Sequence, residues 1–274
     1  MSTQTHPIEE HVPPKISWIA PVLLTCLSGL PPLSIDMFLP SMPAMASQFQ
    51  STPGHMQLTV TLFIIALAIS QLIFGPLSDR FGRRAVMLTV LILYAMAGFA
   101  CVFAPSIEIL IIGRILQGLA AGCGPAIGRA IVRDIYGKAR SAQIMAYMAT
   151  AIALAPILAP ILGGFLQTYW GWQSVFYILG LMGILFFITF FLVVPESNTQ
   201  IDITALQPRR LLANYTELLS SKQYLGNTFL TTTIFCGILA FIANSSFVII
   251  DTLGVSPKVY GFCFGTMAFG LMVG

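Results

Sequence analysis

Two ionisable side chains interrupt the apolar runs of this sequence. Asp36 lies in LSIDMFLP and Arg114 in IIGRILQG. On the lenient membrane-insertion scale such a charge costs at least about 2.5–3.5 kcal/mol, so each needs a reason to be there. An aspartate held by an arginine stays ionised, whereas an aspartate alone in an apolar site takes up a proton readily. A pair that meets and parts could therefore move a proton or bind a cargo. The plainer alternative is a static ion pair that fixes helix packing. Gln117, Gly118 and Ala121 follow Arg114 at i+3, i+4 and i+7, on one helix face.

A third concentration of chemistry is GPLSDRFGRR, residues 75–84. It sets Asp79 among Arg80, Arg83 and Arg84, between Gly75 and Gly82. Arginines alone would serve as an orientation signal. The carboxylate beside three guanidiniums suggests a salt-linked latch. The glycines suggest close helix approach or positive φ.

These residues must be carried by elements of a particular kind. The chain has 274 residues, 57% hydrophobic and only 8% charged. Soluble domains are about 45–50% apolar and about 25% charged. Apolar runs near 18–39, 55–75, 85–104, 107–129, 141–165, 172–194 and 226–250 are each long enough to cross a bilayer. An eighth run begins near 258 and is still apolar at Gly274, so the chain is expected to be a fragment of a longer one. The runs are continuous and not alternating, which predicts helices rather than barrel strands. Ala44-Met45-Ala46 resembles a signal-cleavage site, but the run before it is too long for a signal core, so a retained first span is expected.

Eleven of the 13 basic residues fall in the tail or in alternate links. These are Lys15; Arg80, Arg83 and Arg84; Arg129, Arg133, Lys138 and Arg140; and Arg209, Arg210 and Lys222. The opposite links hold only Lys258. The positive-inside rule then predicts a cytoplasmic amino terminus. The expected organisation is a cytoplasmic tail (1–17), a six-helix bundle (18–194), a cytoplasmic loop (195–225) and the start of a second bundle (226–274). At these depths Asp36 and Arg114 are both in the outer half of the membrane, about a turn apart, and a direct or water-bridged contact is expected.

Other features bound the function. The five cysteines are scattered and read as apolar fillers. The histidines are too far apart for a metal site, no basic block suggests nucleic acid, and there is no phosphate-cradling G-x-x-x-x-G-K-[ST] loop. Trp170 and Trp172 are placed at an outer interface. Gly118 and Gly122, and Gly124 and Gly128, form G-x-x-x-G pairs that read as close packing. In ATAIALAPILAPILGGF, Ala151, Ala155, Ala159 and Gly163 form a stripe of small residues, and Pro156 and Pro160 should bend the helix.

The stretch Gly75…Asp79-Arg80…Gly82-Arg83-Arg84 resembles the G-x-x-x-D-R-x-G-R-R pattern of major facilitator transporters, between the same two spans. The resemblance implies a latch holding two six-helix halves in an outward-open state. Asp79 would face a helix of the second half, and Arg83 would bridge Asp79 to Asp134. Arg114, Gln117 and Gly118 resemble the family's fourth-span R-x-x-Q-G. Pro160, Gly163 and Gly164 resemble the fifth-span antiporter pattern G-x-x-x-G-P-x-x-G-G, with Ala155 and Ala159 in place of its first two glycines. With Asp36-Met37 and Leu39-Pro40, these features resemble the bicyclomycin/chloramphenicol-resistance type of bacterial exporter. That implies an all-α integral membrane protein of the major facilitator fold, with the second bundle cut off in its second helix. It implies an inner-membrane monomer that exports hydrophobic drug-like compounds in exchange for protons, with a proton gradient in place of a cofactor. An importer or uniporter of a nutrient, and a non-transporting truncated membrane protein, stand as alternatives.

Overall fold

The computed structural model describes residues 17–199 and 201–273; the tail with Lys15 lies outside them. The described residues are helical, with no strand among them. The helices are α1 (Ile19–Asp36), α2 (Met42–Gln48), α3 (Pro53–Phe81), α4 (Arg83–Val102), α5 (Ile107–Ala121), α6 (Cys123–Ile135), α7 (Lys138–Trp170), α8 (Gln173–Val193), α9 (Pro208–Ser220), α10 (Lys222–Ser246) and α11 (Pro257–Val273). A 3-10 turn (Leu39–Ser41) joins α1 to α2, and a π-helical turn (Phe247–Thr252) follows α10. Among the described residues seven helical stretches are long and apolar enough to cross a membrane. The chain is a multi-pass membrane protein.

The first apolar stretch differs from the expected one. It does not end near residue 39 but runs on as one span from Ile19 to Gln48. Pro40 and Pro43 fall in the first turns of the short helices that continue it, where a missing N–H costs nothing. Asp36 therefore sits 12 residues, about 18 Å of helix rise, from the Gln48 end of its span. Arg114 is only seven residues, about 10 Å, from the start of α5. The fourth span is also divided, with Gly122 between α5 and α6.

Helices α1 to α8 form one bundle with a continuous apolar core. Its closest approaches run through small residues. A Cβ on Gly118 would strike the Phe63 carbonyl of α3, and one on Gly124 would lie 2.5 Å from the Leu27 carbonyl of α1. Without a hydrophobic drive between helices in lipid, such contacts supply the packing. All five cysteines are free. Trp172 is not an interfacial anchor: it is buried, and its indole N–H donates to Gln48 Oε1 at 2.7 Å. Trp170 is exposed.

The later helices meet this bundle at the end that carries Lys258. Gln57 Nε2 donates to Asn244 Oδ1 at 2.9 Å, and Ser246 Oγ lies 3.8 Å from Met42 Sδ. At the opposite end, which carries the arginine-rich turn and is called the basic end below, the first turns of α10 are exposed.

Candidate functional site

Asp36 is 2% exposed and forms part of the wall of a cavity of about 350 Å³ between α1, α7, α10 and α11. Pro32, Pro156, Phe235, Ile242 and Phe264 are among the other wall residues, and Asp36 is the only polar one. Among the described residues no hydrogen bond or ion pair reaches its carboxylate.

Arg114 lies elsewhere. Its guanidinium carbon is 4.2 Å from the ring centre of Phe63, 4.9 Å from Phe38 and 5.8 Å from Phe176. Nη1 donates to Gln117 Oε1 at 2.8 Å, while Nε, Nη2 and Gln117 Nε2 have no hydrogen-bond partner among the described residues. A desolvated guanidinium over an aromatic face gains about 2 kcal/mol, so three rings take the place of a carboxylate.

The expected Asp36–Arg114 contact is therefore not made, and helix geometry gives the reason. Phe38, whose ring covers Arg114, is two residues beyond Asp36. At about 100° per residue the two point to opposite sides of the chain. Ser34, two residues before Asp36, likewise faces the bundle interior: its hydroxyl is 2.6 Å from Tyr94 Oη. Depth along two spans cannot reveal this, because it leaves out rotation about the axis. The sequence reading also missed Tyr94 and Ser34; a tyrosine in a span without a visible partner was the available signal.

The 75–84 turn is ordered by ion pairs. Arg83 Nη1 is 2.6 Å from Asp79 Oδ1 and its Nε is 3.2 Å from Asp134 Oδ2; Nη1 also donates to Ser78 Oγ at 2.6 Å. Arg84 does different work, donating to the Phe191 carbonyl in the last turn of α8 at 2.7 Å and lying over the Phe191 ring. Arg80 lies over Phe81. Gly82 adopts φ +93° between α3 and α4. The close approach expected at Gly75 is absent: a Cβ there would meet nothing within 4 Å.

Glu196, just after α8, was also missed. Its carboxylate accepts from the N–H groups of Arg83 at 2.9 Å and Arg84 at 3.0 Å, and from those of Ser197 and Asn198. It thus caps the start of α4, which Gly82 cannot cap. A Cβ on Gly82 would lie 2.6 Å from this carboxylate. The Asp79 carbonyl accepts from Asn198 Nδ2 at 3.0 Å and from the Asp202 N–H at 3.1 Å. The linker after α8 is thereby fastened to the turn. Glu196→Ala is expected to cost about 1 kcal/mol, as for loss of a helix cap, seen as a lower thermal midpoint. Gly82→Ala should cost more, because strained φ and lost clearance add.

The stripe of small residues on α7 meets the first span. At its ends, Ala151 faces Gly29 of α1, and a Cβ on Gly163 would strike the Met37 carbonyl. Ala155, Ala159 and Pro160 between them are buried. The next residue, Gly164, points to α11, where an added Cβ would strike the Pro257 carbonyl. Gly261 likewise faces the Pro160 carbonyl, and Gly265 faces that of Ile157.

This arrangement of membrane helices is that of a known transporter family. The profile of the Major Facilitator Superfamily matches residues 24–274, and the chain belongs to that family. It is 32% identical over 257 residues to the uncharacterized MFS-type transporter YdgK of Bacillus subtilis, covering 92% of this chain and 63% of that protein. It is 30% identical over 250 residues to the bicyclomycin resistance protein homolog of Haemophilus influenzae, covering 91% of this chain and 63% of that one. The chain thus spans just under two thirds of the length of these relatives. In fold it is similar to an inward-facing, unoccupied bacterial homolog of the human lysosomal transporter Spinster, with a TM-score of 0.70 and 18% identity over 91% of this chain and 58% of that one.

Proposed function

We propose that the whole protein exports hydrophobic small molecules, antibiotics among them, across a bacterial inner membrane in exchange for protons. The observation that carries this reading is Asp36, a carboxyl group without a partner in an otherwise apolar cavity wall. A charge is costly in such a wall when it is dry and cheap when water enters. Opening and closing of the cavity thus changes whether Asp36 holds a proton. Cargo and proton compete for one place, which is the requirement for exchange. A volume of about 350 Å³ suits a small ligand, and the wall offers it aliphatic and aromatic contact. A sugar importer would need many hydrogen-bonding groups there, so the wall favours the export reading.

In this reading Arg114 and Gln117 act at one remove. Gln117 holds Arg114, Arg114 lies against Phe38, and Phe38 sets the rotation of the turn that carries Asp36. The basic end faces the cytoplasm together with the amino terminus. Gly75, Asp79, Arg80, Gly82, Arg83, Arg84 and Asp134 form the latch between halves, and Ala155, Ala159, Pro160, Gly163 and Gly164 form the packing face of the antiporter helix. The protein works as a monomer and needs no cofactor beyond the proton gradient. The relative from Haemophilus influenzae, named for bicyclomycin resistance, supports the substrate class.

The test uses everted membrane vesicles carrying the full-length chain, energised to an acid interior. Apolar antibiotics, bicyclomycin included, are expected to accumulate inside, and collapse of the pH gradient should release them. Accumulation of no compound, or accumulation indifferent to the gradient, would overturn the proposal.

A further inference from the structure

The linker helix α9 leaves part of one face uncovered. Leu211, Leu212, Tyr215, Leu218 and Leu219 fall on a single stripe of PRRLLANYTELLS, opposite Arg210 and Glu217. Leu212 is 66% exposed and Leu219 59%. Three leucines facing water, Leu212, Leu218 and Leu219, would be an expensive way to build a surface helix.

The basic residues around this stripe are not all spent. Arg210 is held 2.5 Å from Asp202. The Thr204 hydroxyl and N–H, and then Arg210, keep the Asp202 carboxyl below the usual carboxylate range. Arg209 at the start of α9 and Lys222 just beyond its end form no ion pair among the described residues. They flank the apolar stripe.

The depth of α9 is set independently. Its Tyr215 hydroxyl donates to the Leu72 carbonyl of α3 at 3.1 Å. With 29 residues, α3 is about 43 Å long, against about 30 Å of hydrocarbon, so its ends project. Leu72 lies nine residues, about 13 Å of rise, from the basic end of α3. With the surplus shared between the two ends, Leu72 lies about 7 Å inside the edge of the hydrocarbon, within the about 5–10 Å to which the apolar face of an interfacial helix is buried.

We propose that α9 lies in the membrane surface at the basic end, with Leu212, Leu218 and Leu219 among the acyl chains and with Arg209 and Lys222 on anionic phospholipid headgroups. An apolar stripe flanked by free cations at boundary depth fits a charged leaflet. The same linker caps α4 through Glu196 and holds the Asp79 carbonyl through Asp202.

Amide hydrogen exchange of the full-length protein in nanodiscs tests this. Residues 208–220 are expected to exchange more slowly in phosphatidylcholine containing phosphatidylglycerol than in phosphatidylcholine alone, by about fivefold for each basic residue engaged. The double variant R209Q/K222Q should remove that difference. Leu219→Asp should speed exchange of α9 in both lipids and leave α4 and α8 unchanged. Equal exchange of the wild type in the two lipids would overturn the proposal. So would a lipid effect that survives R209Q/K222Q, or slow exchange indifferent to Leu219→Asp, which would put α9 against protein.

Discussion

Asp36→Asn is expected to reduce gradient-driven export to the level of vesicles without transporter, while cargo still binds. Asparagine keeps the shape of the side chain and cannot carry the proton. Exchange of labelled for unlabelled cargo without a gradient should persist, because a neutral residue in that wall resembles the protonated aspartate. A second readout separates this role from a structural one. If Asp36 served as one half of a packing ion pair, its loss would strand a buried guanidinium and destabilise the fold by about 3–5 kcal/mol. Here Arg114 lies among the rings of Phe38, Phe63 and Phe176 and donates one hydrogen bond to Gln117, and no described residue pairs with Asp36. The variant should then melt no lower than the wild type. About 1 kcal/mol of relieved burial would raise the midpoint by about 2–4 °C. Full proton-driven export by Asp36→Asn would remove the carboxylate from the mechanism, and a large fall in midpoint would restore the ion-pair reading.

The spans were legible because lipid leaves the backbone one economical solution and writes it as long apolar runs. The ends were less so. Prolines at 40 and 43 look like a stop, yet they sit at helix starts where they do no harm, and that error moved Asp36 toward the surface. What sequence could not show was rotation. Asp36 and Phe38 differ by two positions and serve two different compartments, a cavity and a ring cage. Glu196 escaped for another reason. Its partners are backbone N–H groups 112 and 113 positions away in the chain, and backbone donors carry no residue signature. A helix beginning at Gly82 with no side-chain cap was the trace it left.

The second large effect concerns two adjacent glycines that do separate jobs. Gly163→Ala is expected to destabilise the bundle itself, because the new methyl group meets the Met37 carbonyl just after α1 and two backbones must separate. Overpacking of this kind costs about 1–3 kcal/mol, and backbone cannot rotate away as a side chain can. Gly164→Ala places its methyl group on the Pro257 carbonyl of α11, outside the six-span bundle. There the strain has a way out: α7 and α11 can part at the Lys258 end. The same 1–3 kcal/mol then appears as a shift of about 5- to 150-fold between closed and open arrangements of that end. Spin labels at exposed Gln50 and Leu253, in a cysteine-free full-length chain, would report it as a longer distance. Gly163→Ala should lower the thermal midpoint and leave that distance alone, whereas Gly164→Ala should lengthen it and spare the midpoint. Identical behaviour of the two variants would mean that α7 and α11 move as one body and that the seam between them is not where the transporter opens.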